Sequence, residues 1–312
     1  MTRPVPAPEA VPAPEPVPTL ADLNACPEAA FTAHLASVWE HAPWVAGRVV
    51  ALRPFASVDD LHRAMVETVS ALPEPELVAL LAGHPDLAGP AARSGTMTAE
   101  STSEQGALSL GALPQDEAAR WDALNAAYRA KFGFPFVLCA RHYGRAAMLL
   151  VFEQRLAGTR AGEMAAALRE IAQITRYRLA ARIAGHDMPD LAGRLTTHVL
   201  DTSRGRPAAG MRVALHEVSG ALPCGTAAPL VETITDAHGQ TAEPLLSGAP
   251  LRVGCYELRF HVGDYFRRTG AVESAFAFLD VVPVVFCIDE PTGDYHVPLT
   301  VTPWAYATYR GQ

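Results

Sequence analysis

The stretch Gly193–Pro207, reading GRLTTHVLDTSRGRP, constrains this chain more than any other, because the hydrophobic period changes across it. Ahead of it, apolar residues recur at the three-to-four spacing of a helix face. Behind it they alternate with polar residues, the period of a half-buried strand. No single class of secondary structure satisfies both halves. The chain is therefore predicted to be multidomain, with an all-α domain over residues 19–185, a linker over 186–193 and an antiparallel β-sandwich over 194–312. A length of 312 residues agrees with this, since one core typically serves about 100–200 residues.

In the helical half, Ser57 to Asp60 has the pattern of a capping box, followed by a stripe of Leu61, Met65, Val66, Val69 and Leu72. A second helix is predicted over Pro114–Lys131, with Trp121, Leu124 and Tyr128 on one face and Gly133 closing it. A third is predicted over 161–184, with Met164, Leu168, Ile171 and Ile174 at core spacing. Past the seam, seven strands or parts of strands are expected: 195–200, 211–218, 230–235, 255–262, 277–288, 295–301 and 305–309. Residues 264–269 add a short helical turn. Residues 1–18 carry proline at almost every second or third position, which removes amide donors and favours an extended, solvated tail.

A net charge of −8 excludes the long-range positive field that a nucleic acid or an anionic membrane surface requires. An anionic ligand must then be held by local arginines. The five cysteines (26, 139, 224, 255 and 287) are odd in number, widely spaced and free of C-x-x-C. That usage implies buried thiols in a reducing, cytoplasmic setting, with neither disulfides nor a zinc site. The histidines show no H-x-x-x-H pattern, so no metal is expected. No apolar run approaches the roughly 18 residues of a membrane span.

Three segments of the helical half carry chemistry. In LAGHPDLAG (81–89), Pro85 keeps His84 out of the helical region, so the imidazole projects from a helix end. TAESTSEQ (98–105) offers hydroxyls and carboxylates that cap a helix, and its Glu104 can equally orient an imidazole. KFGFPFVLCA (131–140) is apolar and pinned by Gly133 and Pro135, which lets its backbone amides line a pocket wall.

These segments, together with HAPWVAGRV (41–49), LNAAYRAKFGFPFVLCAR (124–141) and ITRYRL (174–179), resemble the decarboxylases of 2-oxo-4-hydroxy-4-carboxy-5-ureidoimidazoline (OHCU). The resemblance spans residues 19–185 and departs only at Ala42, where serine is more usual. It implies catalytic roles for His84 and Glu104. It also implies substrate contacts from Arg178, Pro85, Ser101, Ser103, Gln105, Phe136, Val137 and Ala140. The implied reaction needs no cofactor, because the substrate's own ring unsaturation receives the electron pair left by carbon dioxide.

The second half resembles the transthyretin-related 5-hydroxyisourate hydrolases through THVLDTSRGRPAAG (197–210), TDAHGQ (235–240), YELRF (256–260) and DYHVPLTVTPWAYATYRG (294–311). Catalytic histidines at 198 and 296 are implied, with Tyr309 and Arg310 completing the pocket. Two positions depart: Gln240 stands where arginine is usual, and the chain ends in Gln312 rather than serine. Glutamine is neutral and shorter, so anion stabilisation at Gln240 weakens. His216, His238 and His261 are left as surface or packing residues.

Together the resemblances imply urate breakdown by two consecutive steps, hydrolysis of 5-hydroxyisourate to OHCU and decarboxylation to (S)-allantoin. Small molecules are the expected partners. A homo-oligomer, dimer or tetramer, is expected through the β domain. The alternative reading keeps only the decarboxylase active and makes the β domain an oligomerisation or ligand-binding module.

Overall fold

The computed structural model describes residues 16–106, 113–185, 190–218 and 228–311. Most of the proline-rich tail, much of the linker, Cys224 and Gln312 lie outside the described residues. Ten helices come first: α1 (Leu20–Ala25), α2 (Glu28–Leu35), α3 (Trp44–Val49), α4 (Val58–Ser70), α5 (Glu74–Ala82), α6 (Pro90–Ser94), α7 (Ala99–Gly106), α8 (Gln115–Phe132), α9 (Arg145–Leu156) and α10 (Arg160–Ala180). Then follow strands β1 (Arg194–Thr196), β2 (Val199–Asp201), β3 (Arg206–Pro207), β4 (Arg212–Val218), β5 (Val231–Ile234), β6 (Gly254–Phe260), β7 (Val282–Ile288), β8 (Asp294–His296), β9 (Leu299–Val301) and β10 (Tyr306–Thr308). A short helix, α11 (Val262–Arg268), lies between β6 and β7. No helix among the described residues is long and apolar enough to cross a membrane.

By packing, the chain divides into two compact units, one of residues up to Pro73 with those from Thr175 to Pro189, the other of Glu74–Ile174 with those from Asp190. In the first unit, Ser57 accepts a hydrogen bond from the Asp60 N–H at 3.0 Å and so starts α4, whose Leu61, Met65 and Val69 are fully buried. Phe31, Val38, Trp39 and Val49 complete that core. In the second unit, α8 ends at Gly133, whose φ of +83° is the left-handed conformation that glycine adopts without a Cβ penalty. Tyr128 of α8 sits among Phe132, Phe134, Phe136 and Phe152. Its hydroxyl donates to Glu163, which Arg155 also holds at 2.8 Å.

Helix α10 differs from its expectation. It stops at Ala180, because the chain then turns to pair Ala184 with Thr19. Its most buried line runs through Glu163, Ala167, Ile171, Thr175 and Arg178 rather than through Met164, Leu168 and Ile174.

The β half has two four-stranded sheets, ordered β10-β9-β2-β3 and β5-β4-β6-β7, plus the pair β1-β8. Their inner faces meet in a core that includes Leu195, Val199, Val213, Leu215, Leu258, Phe260, Val282, Leu299 and Val301. Two of the expected strands are each broken in two. The segment 194–201 runs parallel to 294–301, pairing as β1 with β8 and as β2 with β9, while the remaining pairings are antiparallel. Strand β7 starts at Val282 rather than at residue 277, and Phe276 and Phe278 before it are exposed.

The expectation of free thiols is corrected at one pair. Cys255 and Cys287 stand directly opposite each other on β6 and β7 and form a disulfide. Their Cα atoms are 4.1 Å apart, close to the spacing of about 4.5 Å for a non-hydrogen-bonded antiparallel pair, which turns two side chains toward each other. Sequence spacing carries no trace of this, since 32 residues separate them. Cys26 and Cys139 remain free.

Candidate functional site

The period of β1 and β2 assembles the first candidate site. Leu195, Thr197 and Val199 are buried, while Arg194, Thr196 and His198 alternate toward the other face. The parallel register places Arg194 against Asp294 and Thr196 against His296, so these four share one wall. That wall opens on a cavity of about 420 Å³, which Gln240, Thr241 and Glu243 also line. The turn before Gln240 is fixed by Asp236, which accepts N–H bonds from His238 and Gln240. Those bonds, that of Gln240 first, hold the Asp236 carboxyl below its ordinary range.

His296 is oriented from two sides. Its Nδ1 lies 2.9 Å from Thr196 Oγ1, and that hydroxyl also donates to the Tyr295 carbonyl. The hydroxyl engages Nδ1, so Nε2 is the ring nitrogen outside this contact. Gly311 covers the ring: its N–H donates to the His296 carbonyl at 2.8 Å, and a Cβ there would come within 2.5 Å of Cδ2. Burial, and then the neighbouring His198, hold His296 below the ordinary histidine value. It is accordingly neutral at pH 7.

His198 pairs with Gln240 in an antiparallel bridge. Its Nε2 is buried without a hydrogen-bond partner among the described residues, and it does not itself line the cavity. Gly239, at φ +75°, packs so closely that a Cβ would meet the Val199 carbonyl at 2.3 Å and His198 Cδ2 at 3.2 Å.

The second candidate site is drawn from α5, α7 and the segment between α8 and α9. His84 lies in the turn just past α5, half-buried, with Nδ1 3.2 Å from the Leu80 carbonyl. Pro85 is half-buried beside it, and Ala88, at φ +54°, holds a conformation that costs a non-glycine residue about 1–3 kcal/mol. Gln105 secures it by accepting the Ala88 N–H at 3.0 Å, which ties the end of α7 to this turn. Ser101 is buried on the same helix, Glu104 is half-buried and Ser103 is exposed. Phe136, Val137 and Ala140 are buried. Burial, then Glu170, then Glu104 push the Cys139 thiol up, which places Glu104 within electrostatic reach of this apolar segment.

Arg178 belongs to the other compact unit. There it donates through Nη1 to Glu40 at 2.6 Å, and both side chains are buried. Glu40 precedes His41, whose φ of 51° is again uncommon for a non-glycine residue.

Residues 24–180 match the family described as OHCU decarboxylase, and residues 195–311 match the family described as HIUase/Transthyretin. A 5-hydroxyisourate hydrolase of Deinococcus radiodurans is 52% identical over 118 residues, covering 38% of this chain and 94% of that protein. The chain belongs to both families. On the decarboxylase side, a 2-oxo-4-hydroxy-4-carboxy-5-ureidoimidazoline decarboxylase of Amia calva is 37% identical over 160 residues, 51% of this chain and 91% of that one. A crystal structure of (S)-allantoin synthase matches at 34% identity and a TM-score of 0.55, covering 94% of this chain and 100% of that chain.

In the HIUase/transthyretin half, the structure brings together His198, His296 and Gln240, while Tyr309 is exposed on the chain's last segment. The Arg310 guanidinium lies 4.6 Å over the Tyr295 ring. His238 is exposed and His261 contacts Arg212, as packing residues do, whereas His216 is buried. Three residues escape the sequence reading: Arg194, Thr196 and Glu40. Thr196 was readable in principle, two positions before His198 on an alternating strand. Glu40 left no signal, because its partner is 138 residues away.

Proposed function

We propose that this chain carries out two consecutive steps of urate degradation, with residues 194–312 hydrolysing 5-hydroxyisourate and residues 19–185 decarboxylating the OHCU that results. The observation that carries this is the joining of both families in one chain, aligned across 94% of its length with an (S)-allantoin synthase.

For the first step, neutral His296 takes a proton from water through Nε2. The water oxygen attacks the ring carbonyl, the amide C–N bond breaks, the ring nitrogen takes up a proton and a carboxylate forms. His198, behind the cavity wall, supplies the second imidazole, and Tyr309 and Arg310 border the substrate. For the second step, Arg178 holds the substrate carboxylate while the C–C bond to carbon dioxide breaks and the electron pair enters the adjacent ring unsaturation. His84, oriented by Glu104, handles the substrate hydroxyl proton and delivers one to the new carbon from a single face, giving (S)-allantoin. Pro85, Ser101, Ser103, Gln105, Phe136, Val137 and Ala140 contact the ligand. Exposed Trp304, Tyr306 and Tyr309 support a homo-oligomer built through the β half.

Urate oxidase generating 5-hydroxyisourate in situ, followed by ultraviolet absorbance and circular dichroism, tests the assignment. The wild-type chain should clear both intermediates faster than they decay and yield optically active allantoin. His296→Ala should stall the first step and His84→Ala the second. Wild-type turnover by either variant overturns its assigned role.

A further inference from the structure

Ring opening places negative charge on the attacked carbonyl oxygen, and an active site must offset that charge. In the cavity beside His296, the wall holds two carboxylates, Glu243 and Asp294, which oppose it. Gln240, which also lines it, contributes only a neutral amide. Among the described lining residues a single guanidinium is present, that of Arg194.

Arg194 is built into the wall. Its N–H donates to the Gly293 carbonyl at 3.1 Å, and those of Gly193 and Leu195 donate to Ala249 and Leu246 at 3.0 and 2.9 Å. The backbone is thus pinned from both sides. The strand period then sends Arg194 to the same face as Thr196, two register positions from the Thr196–His296 pair. None of the described carboxylates forms an ion pair with it, Asp294 opposite it included.

We infer that Arg194 is a substrate-contacting residue of the hydrolytic site, where its guanidinium binds the carbonyl oxygen that becomes the oxyanion and then part of the product carboxylate. The hydrolase therefore keeps its arginine but carries it on the first strand instead of on the turn at Gln240. Planarity and permanent charge make a guanidinium suited to both the oxyanion and the carboxylate. This inference rests on the hydrolase reading above.

The test measures 5-hydroxyisourate hydrolysis by the full chain, Arg194→Ala, Arg194→Lys, Gln240→Arg and the double variant Arg194→Ala/Gln240→Arg. Far-ultraviolet circular dichroism and the melting temperature of the same samples report that each is folded. Arg194→Ala should lower kcat by about 100-fold, the usual loss for one oxyanion donor, with a smaller change in KM. Arg194→Lys should recover part of it. The double variant should regain most of it, because the cation returns to the same cavity at the position Gln240 occupies. A kcat for Arg194→Ala within twofold of wild type overturns the inference while leaving the hydrolase reading intact. A loss in Arg194→Ala that Gln240→Arg does not relieve overturns it too, since it assigns the loss to something other than the cavity's positive charge. If the wild-type chain does not accelerate hydrolysis at all, both fall together.

Discussion

Thr196 and His296, a hundred residues apart in the chain, face each other across a parallel strand pair with Oγ1 2.9 Å from Nδ1. This one contact engages one ring nitrogen of His296 and fixes the ring plane. Replacing Thr196 with valine keeps the shape and removes the hydroxyl. We expect kcat for 5-hydroxyisourate to fall roughly 5-fold, about the worth of one net hydrogen bond, with KM little changed. Steady-state kinetics decide it, and an unaltered kcat would disprove the orienting role.

The protonation of His296 follows from its surroundings. Burial and the nearby His198 both favour the neutral ring, so its midpoint lies below the ordinary 6.5. As pH falls through that midpoint the base gains a proton and hydrolysis is lost, so the acid limb of kcat/KM should sit below 6.5. Imidazole resonances followed by NMR give the midpoint directly. In His198→Asn it should move upward, since the second cause disappears and burial alone remains.

Gly311 lies flat on the His296 ring. Gly311→Ala pushes a methyl group against Cδ2, and the exposed last strand can yield without disturbing the core. The expected result is a loss of hydrolysis of about 10- to 100-fold from a displaced base, at an unchanged melting temperature. Equal loss of both would instead mark Gly311 as a folding residue.

Glu40 and Arg178 form a buried ion pair. Removing one member of such a pair costs about 3–5 kcal/mol. Glu40→Ala should therefore lower stability by that order in urea unfolding, and decarboxylation should fall with it. A variant within 1 kcal/mol of wild type would show that solvent reaches Arg178.

Local signals in the sequence proved legible. Ser57 caps α4, Gly133 closes α8, and the alternation through Leu195, Thr197 and Val199 marks which face of the first strand is core. Pro85 marks the turn that holds His84, whereas His296 is singled out by the motif around it. What the sequence hid is pairing at a distance. The Cys255–Cys287 bond depends on strand register, the Glu40–Arg178 pair on two segments far apart, and the split of the first strand on which partner each half meets. Arg194 was passed over for a related reason. A charged residue on a solvent-facing strand position is ordinarily just a solvated one, and only the register with Asp294 and His296 shows that it borders a cavity.

The parallel pairing of 194–201 with 294–301 also sets a schedule. At a synthesis rate of about 5–20 residues per second, the first strand waits roughly 5–20 seconds for its partner to be made. Until then the segment 194–201 lacks its parallel partner, and His198 and His296 cannot meet. During translation the segment 194–201 is therefore an open edge until residues 294–301 emerge, a window in which a holding chaperone, or a pause in the ribosome, acts on the hydrolytic site.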